Sequence, residues 1–152
     1  MSEILIIAEH AGGKLNPATA KCVTAASAIA GAKMTIAVFA ADGAAVAAQA
    51  AKLAGVAKVI TVDNAANQHA LAAVIAPQVA ALAKSYTHVF GPSTTFGKDL
   101  MPRVAALLDA PQLSDVMVIE SATSFVRPTY ASNASTTVEV DAGTQVVATI
   151  RS

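Results

Sequence analysis

The stretch "YTHVFGPSTTFGKDLMPRVAALLD" (residues 86–109) decides the fold class of this chain. A short apolar run at 86–91 predicts a buried strand, and an Ala- and Leu-rich segment at 94–109 predicts a helix directly after it. The loop between them contains glycines, hydroxyls and a lysine, as phosphate-binding loops do. Five residues separate Gly91 from Gly97, however, where a Walker loop has four, and Asp99 stands where that loop needs a hydroxyl. We therefore expect one of the residues at 93–95 to cap the helix, and no phosphate cradle.

The same strand-then-helix order repeats towards the N-terminus. Three more short runs rich in Ile, Val and Phe alternate with Ala-rich segments of helical length; the predicted strands are 3–10, 33–40 and 57–63, and the predicted helices 17–31, 43–54 and 67–85. This alternation implies crossover connections and a mostly parallel sheet with helices on both faces. The sequence therefore predicts an α/β fold in one domain, residues 1–152.

After residue 109 the pattern changes to short strands separated by turn residues. The strands predicted there are 114–120, 124–131, 135–140 and 144–150. Some of them are expected to be antiparallel, and the turn at Asp141–Gly143 predicts a hairpin between the last two strands.

Composition excludes several classes of function. Net charge is zero, with ten basic and ten acidic residues, and there is no Trp, so neither a basic face nor an aromatic platform for nucleic acid is expected. No apolar run has the length of a membrane helix, and we expect no membrane insertion. The N-terminus shows no targeting pattern, which indicates a bacterial cytoplasmic protein, or a processed one in an organelle. Hydrophobic residues make up 55% and charged residues 13%, so an exposed apolar face for partners is expected.

Polar residues follow the first strand, at the edge where open α/β sheets bind ligands. Glu9, His10 and the pair Gly12–Gly13 lie there. They form either one wall of a nucleotide crevice or a simple turn in which Asn16 caps the next helix, and the absence of a G-x-G-x-x-G fingerprint favours the turn.

Isolated residues give no further chemistry. His10, His69 and His88 are too scattered for a local metal site, and the single cysteine, Cys22, is expected to be a small buried thiol. Ser93 follows a strand but lacks a nucleophile elbow. Asp115 is expected to cap backbone N–H groups.

Four segments together resemble one family, the alpha subunit of electron transfer flavoprotein, in its N-terminal domain. They are "ILIIAEHAGGKLNPAT", "AGVAKVITVD", "THVFGPSTTFGKDLMPRVAALLDAPQLSDV" and "FVRPTYASNASTTV", in that order from Ile4 onward. Ser132 departs from the pattern, since the family usually has glycine there.

The resemblance implies an adenine nucleotide alpha-hydrolase-like fold and a heterodimeric electron carrier rather than an enzyme. Such carriers take electrons from acyl-CoA dehydrogenases and related flavoenzymes and pass them to a membrane quinone oxidoreductase. FAD lies mainly in the alpha subunit's C-terminal domain, which this chain lacks, and AMP lies in the partner beta subunit, so no cofactor is expected here. A bacterial protein would be cytoplasmic and a processed eukaryotic one would reside in the mitochondrial matrix.

The resemblance also implies that the loop after the fourth strand contributes to a seam between subunits. Lys98 and Arg103, on different faces of the helix, are expected in salt bridges or at an interface, and Arg127 either at a domain junction or over apolar surface. The candidate interface residues are Gly97, Lys98, Arg103, Arg127, Tyr130 and Asn133. The alternative from another class is a free-standing adenine-nucleotide-binding domain of the universal stress protein type.

Overall fold

The computed structural model describes residues 1–152 and contains eleven strands and four helices, numbered here in chain order. The strands are β1 Glu3–Ile7, β2 His10–Ala11, β3 Lys14–Leu15, β4 Lys33–Ala40, β5 Val56–Asp63, β6 His88–Pro92, β7 Gln112–Val116, β8 Val118–Ser121, β9 Ser124–Thr129, β10 Ala134–Glu139 and β11 Val146–Ile150. The helices are α1 Ala18–Ala26, α2 Ala44–Ala50, α3 Ala72–Ala83 and α4 Thr95–Leu108.

A six-stranded parallel sheet forms the body, in the order β5-β4-β1-β6-β11-β7. Ile4 of β1 is paired with Met34 of β4 on one side and with His88 of β6 on the other. The chain runs outward from β1 to β5 and then returns to place β6 on the opposite side of β1. This reversal makes the gap between the carboxyl ends of β1 and β6 the topological switch point of the sheet.

Each face of the sheet packs against its own layer, so both faces are buried. Cys22 and Val46, from α1 and α2, share one core with Phe90 and with Phe125 of β9. The second core lies on the other face, where α3 and α4 (through Leu100, Met101 and Val104 of α4) pack against the alternate positions of the same strands. These strand positions are Leu5, Ile7, Phe39, Val89 and Val147. The predicted α/β class, with a mostly parallel sheet and helices on both faces, is confirmed.

The C-terminal strands divide between two sheets, and the predicted hairpin at Asp141–Gly143 is wrong. β10 pairs antiparallel with β9, and β9 with β8, to form a separate three-stranded sheet. β11 instead enters the body between β6 and β7, parallel to both. The antiparallel hairpin is therefore β9–β10, whose turn holds Tyr130, Ala131 and Ser132 at positive φ of 50°, 54° and 70°.

The helices are shorter than the sequence predicted. α1 begins at Ala18, after Asn16 accepts the Ala18 N–H at 2.9 Å, and ends at Ala26. α3 begins only at Ala72, because a short 3-10 turn capped by Asn64 precedes it. None of the four helices combines the length and hydropathy needed to cross a membrane.

Candidate functional site

The switch point between β1 and β6 is bridged by side chains. The Thr94 hydroxyl, after β6, donates to Glu9 Oε1 at 2.8 Å, so a hydrogen bond crosses between the two loops. The Thr19 hydroxyl of α1 accepts the Glu9 N–H at 3.2 Å and fixes the base of this residue. This bond crosses the place where the sequence left a nucleotide crevice as the less favoured alternative to a turn.

Three backbone donors around the start of α4 are used within the domain. Thr94 Oγ1 accepts the Gly97 N–H at 3.3 Å and is the helix cap that the sequence predicted among residues 93–95. The Lys98 N–H donates to the Thr94 carbonyl at 2.8 Å, and the Ser93 N–H to the Ile150 carbonyl at 2.9 Å. A phosphate would need such groups free.

Gly97 brings α4 close to the strand before it. A Cβ at this position would lie 1.6 Å from the Pro92 carbonyl oxygen. Only glycine fits so close to another backbone. The close approach that the sequence placed at a subunit seam is therefore made to Pro92, inside this chain, and Gly97 itself is buried.

A second carboxylate lies at the same edge of the sheet. Asp115 accepts a hydrogen bond from the Ser93 hydroxyl, and its own N–H donates to Thr149 Oγ1 at 2.9 Å. The expectation that its carboxylate caps backbone N–H groups is wrong, because its partner is a side chain. Asp115 also has a φ of 56°, a left-handed conformation that Asp adopts more readily than most residues. Ser93 has a carboxylate as its partner and no histidine, so it is not arranged as a nucleophile.

The loop after β1 folds back as the small β2–β3 hairpin. Gln49 of α2 braces it, accepting the Leu15 N–H at 2.9 Å and donating to the Gly13 carbonyl at 2.8 Å. His10 Nε2 lies 2.9 Å from the Phe39 carbonyl at the end of β4. Gly12 and Gly13 have φ of 58° and 75°, so the turn-and-cap interpretation describes this loop.

The candidate interface residues fall into two groups, and no hydrogen bond or ion pair joins them. On α4, Lys98 and Arg103 are exposed, and Arg103 Nε lies 4.0 Å from Asp99 Oδ1. On the β9–β10 hairpin, Tyr130 is 82% exposed and the exposed Asn133 donates its N–H to the Tyr130 carbonyl.

Arg127, on β9, is half-buried and makes a bond within the chain. Its Nε donates to the Ser114 carbonyl of β7 at 2.9 Å, which ties the small sheet to the body. Neither of its two predicted positions included this contact.

One arginine at the same edge was missed by the sequence reasoning. Arg151 Nη1 lies 3.3 Å from Ser132 Oγ and 3.9 Å from Met117 Sδ, and it links the end of β11 to the β9–β10 turn. Met117 and Val118 are 44% and 50% exposed. Period-two patterns gave no signal for this contact, since all three residues lie outside the strands, in separate connecting segments.

The side chains form no site for metal binding or thiol chemistry. No three His, Cys, Asp or Glu side chains are placed to hold a metal ion. Cys22 is buried, as predicted, and burial together with the Glu9 carboxylate raises the pKa of its thiol to about 12. It is therefore protonated and unreactive at neutral pH.

Comparison with known proteins shows the family of this chain. The family model of the electron transfer flavoprotein domain matches residues 4–152, and the chain belongs to that family. More narrowly, it is the N-terminal domain type of the alpha subunit. It is 47% identical over 144 residues to the electron transfer flavoprotein subunit alpha of Pseudomonas aeruginosa, covering 95% of this chain and 46% of that protein.

Two further alpha subunits are also similar to most of this chain over less than half of their own length. The alpha subunit of Paracoccus denitrificans is 46% identical over 132 residues, covering 86% of this chain and 42% of its own length. The mitochondrial alpha subunit of Arabidopsis thaliana is 34% identical over 154 residues, covering 97% and 42%. The chain thus spans less than half the length of these relatives.

Proposed function

We propose that this chain is the non-catalytic scaffold domain of a heterodimeric electron-transferring flavoprotein. The observation that carries the proposal is the family match over residues 4–152, made by a chain that spans only 46% of its Pseudomonas relative. The remaining length of such a protein is where a C-terminal FAD domain belongs.

The residues of this chain do not fit a flavin nucleotide. At the carboxyl edge of the sheet, where an α/β fold would hold a pyrophosphate, Glu9 at the switch point accepts a hydrogen bond from Thr94. Asp115 on β7, at the same edge, accepts one from Ser93. Two carboxylates at this edge would repel phosphate. The Gly97 N–H, a donor that phosphate would need, is capped by Thr94. These contacts support a cofactor position in another part of the assembly.

The partners follow from the same proposal. A beta subunit carrying AMP completes the heterodimer, acyl-CoA dehydrogenases supply electrons, and a membrane quinone oxidoreductase accepts them. The relatives include bacterial and mitochondrial proteins, which supports the bacterial cytoplasm or the mitochondrial matrix as the site of action. The universal stress protein alternative is not favoured, because the chain matches the electron transfer flavoprotein family from end to end.

The first experiment measures flavin retention. The purified chain, incubated with FAD and desalted, is expected to be colourless, whereas co-expression with a beta subunit and an alpha-subunit FAD domain should give a yellow complex that contains this chain. Stoichiometric flavin on the isolated chain, or a failure to join that complex, would overturn the proposal.

The second experiment tests the predicted interface on α4. The double reversal Lys98→Glu with Arg103→Glu should weaken assembly with the beta subunit, measured by co-purification. The matched control is Lys21→Glu with Lys52→Glu, which changes the same charge at two exposed lysines of other segments. Equal co-purification of both double variants would remove α4 from the interface and leave the scaffold role intact.

A further inference from the structure

His88 lies at the amino end of β6, opposite the edge described above. Its side chain is buried, with 4% of the residue exposed, and it lines a cavity of about 490 Å³ between the body and the turn that joins β8 to β9. Lys84 and Gln145 line the same cavity. The ring packs edge-on to Phe90 at 5.7 Å and tilted to Phe125 at 6.3 Å, so it contacts both sheets.

Both ring nitrogens have partners, and these partners fix the tautomer. Nε2 lies 2.8 Å from the Ala122 carbonyl, which can only accept, so Nε2 bears the proton. Nδ1 lies 2.7 Å from the Thr87 hydroxyl, which then donates to it. Thr87 Oγ1 also accepts the Glu3 N–H at 2.9 Å, so every polar group of this chain of bonds is satisfied when the imidazole is neutral.

A protonated ring would keep its hydrogen bonds but would have no counter-charge in the cavity. Nδ1–H would donate to the Thr87 hydroxyl, and that hydroxyl would turn to donate to the Glu3 carbonyl, 2.9 Å away. Every donor would therefore still have an acceptor. No carboxylate lines the cavity, and the titratable groups that do are the Met1 amino group, Lys84 and Tyr86. The added charge would therefore be buried without a counter-ion.

The charged side chains on the elements around His88 make contacts elsewhere or are exposed. The Glu3 side chain of β1 lines a separate pocket with Lys33 and Lys58, and Glu120 of β8 accepts a hydrogen bond from Ser124. Arg127 of β9 bonds Ser114. Three more elements pack around β6. The charged residues of α1 and α4 (Lys21, and Lys98, Asp99 and Arg103) are all exposed, and β11 has no titratable residue.

We propose that His88 is a proton-linked latch: its neutral imidazole holds the β8–β9 turn, residues 121–124, against β6, and protonation releases that turn. Once the turn lifts, the ring reaches water and can be charged at little cost. Protonation therefore favours the open turn over the closed one.

The direction in which the pKa of His88 is shifted agrees with this proposal. Burial lowers it below the ordinary value, and the bond to the Ala122 carbonyl raises it by less. A histidine whose pKa is depressed in the closed state contributes stability that is fully present above about pH 6.5 and is lost as the pH falls through the closed-state pKa.

Amide hydrogen exchange of residues 121–125 tests the latch. The protection factor, corrected for intrinsic exchange, should fall about tenfold between pH 7.5 and 5.5, because one proton is linked to opening and an exposed histidine has a pKa of about 6.5. His88→Gln keeps a donor for Ala122 but cannot be charged, and its turn should show no such fall. His69→Gln, at an exposed histidine, is the matched control and should behave as the unmodified chain does. Unchanged protection in the unmodified chain, or the same fall in His88→Gln, would overturn the proposal.

A second measurement needs no variant. NMR of the histidine ring should show the Nε2–H tautomer of His88 at neutral pH and a pKa below the ordinary histidine value of about 6.5. The other tautomer, or a pKa of His88 above that ordinary value, would also overturn the latch.

Discussion

Replacing Gly97 by alanine tests the tight contact between α4 and β6. In an open helix, Gly→Ala gains about 1 kcal/mol of helix propensity. Here the new methyl carbon would lie 1.6 Å from the Pro92 carbonyl oxygen, which is a backbone atom and cannot swing aside as the end of a flexible side chain could. Since real contacts of this kind need roughly twice that distance, α4 must move. Overpacking in well-packed regions costs about 1–3 kcal/mol and occasionally more, and we expect at least the upper value.

The measurement is urea or thermal unfolding followed by circular dichroism. A loss of about 3 kcal/mol lowers the Tm of a domain of this size by roughly 6–12 °C. Gly143→Ala is the matched control: nothing lies within 4 Å of its added Cβ, so only its φ of 87° opposes the change, at about 1 kcal/mol. If Gly97→Ala is no less stable than Gly143→Ala, the steric argument is wrong.

Three further predictions concern single contacts. Asp115→Ala should lower the free energy of unfolding by about 0.5–2 kcal/mol, since it removes the acceptor for Ser93, whereas Asp115→Asn keeps an acceptor and tolerates the left-handed conformation; equal losses in urea titrations would refute this. Cys22, whose pKa is raised to about 12, should react with a thiol reagent only after denaturant is added, and rapid labelling of the native protein would contradict its burial. Arg127→Ala should cost about 0.5–1.5 kcal/mol and increase hydrogen exchange in β9, and unaltered exchange would show that the bond to Ser114 contributes nothing.

The body of the fold was predictable because its signals are local. "KMTIAVFA" is an unbroken apolar run, and β4 occupies the predicted residues 33–40. Such runs mark strands buried on both faces of a parallel sheet. Helix ends were harder to predict, since the Ala-rich segments do not show where tertiary contacts stop supporting them.

The C-terminal pairing was not predictable from turn chemistry alone. Asp141–Gly143 has hairpin composition, yet the strands on either side differ in kind: β10 is largely exposed, whereas every residue of β11 is buried. The continuous run Val146–Ile150 carried the signal for a central parallel strand, which outweighs a nearby turn. The contacts at the switch point were also beyond the sequence, because Thr94 and Glu9 are separated by 85 positions.

The position of β11 has a consequence for how the protein is made. It is the last of the sheet strands along the chain, yet it occupies an interior place between β6 and β7. During synthesis β6 and β7 lack the strand that separates them until β11 has been made. Val89 and Phe90 of β6 lack their β11 packing partners during this time. Pairing over such sequence distances is slow, and unpaired strands at this stage invite aggregation. We therefore expect the nascent chain to be most prone to aggregation before Val146–Ile150 is available to pair with β6 and β7.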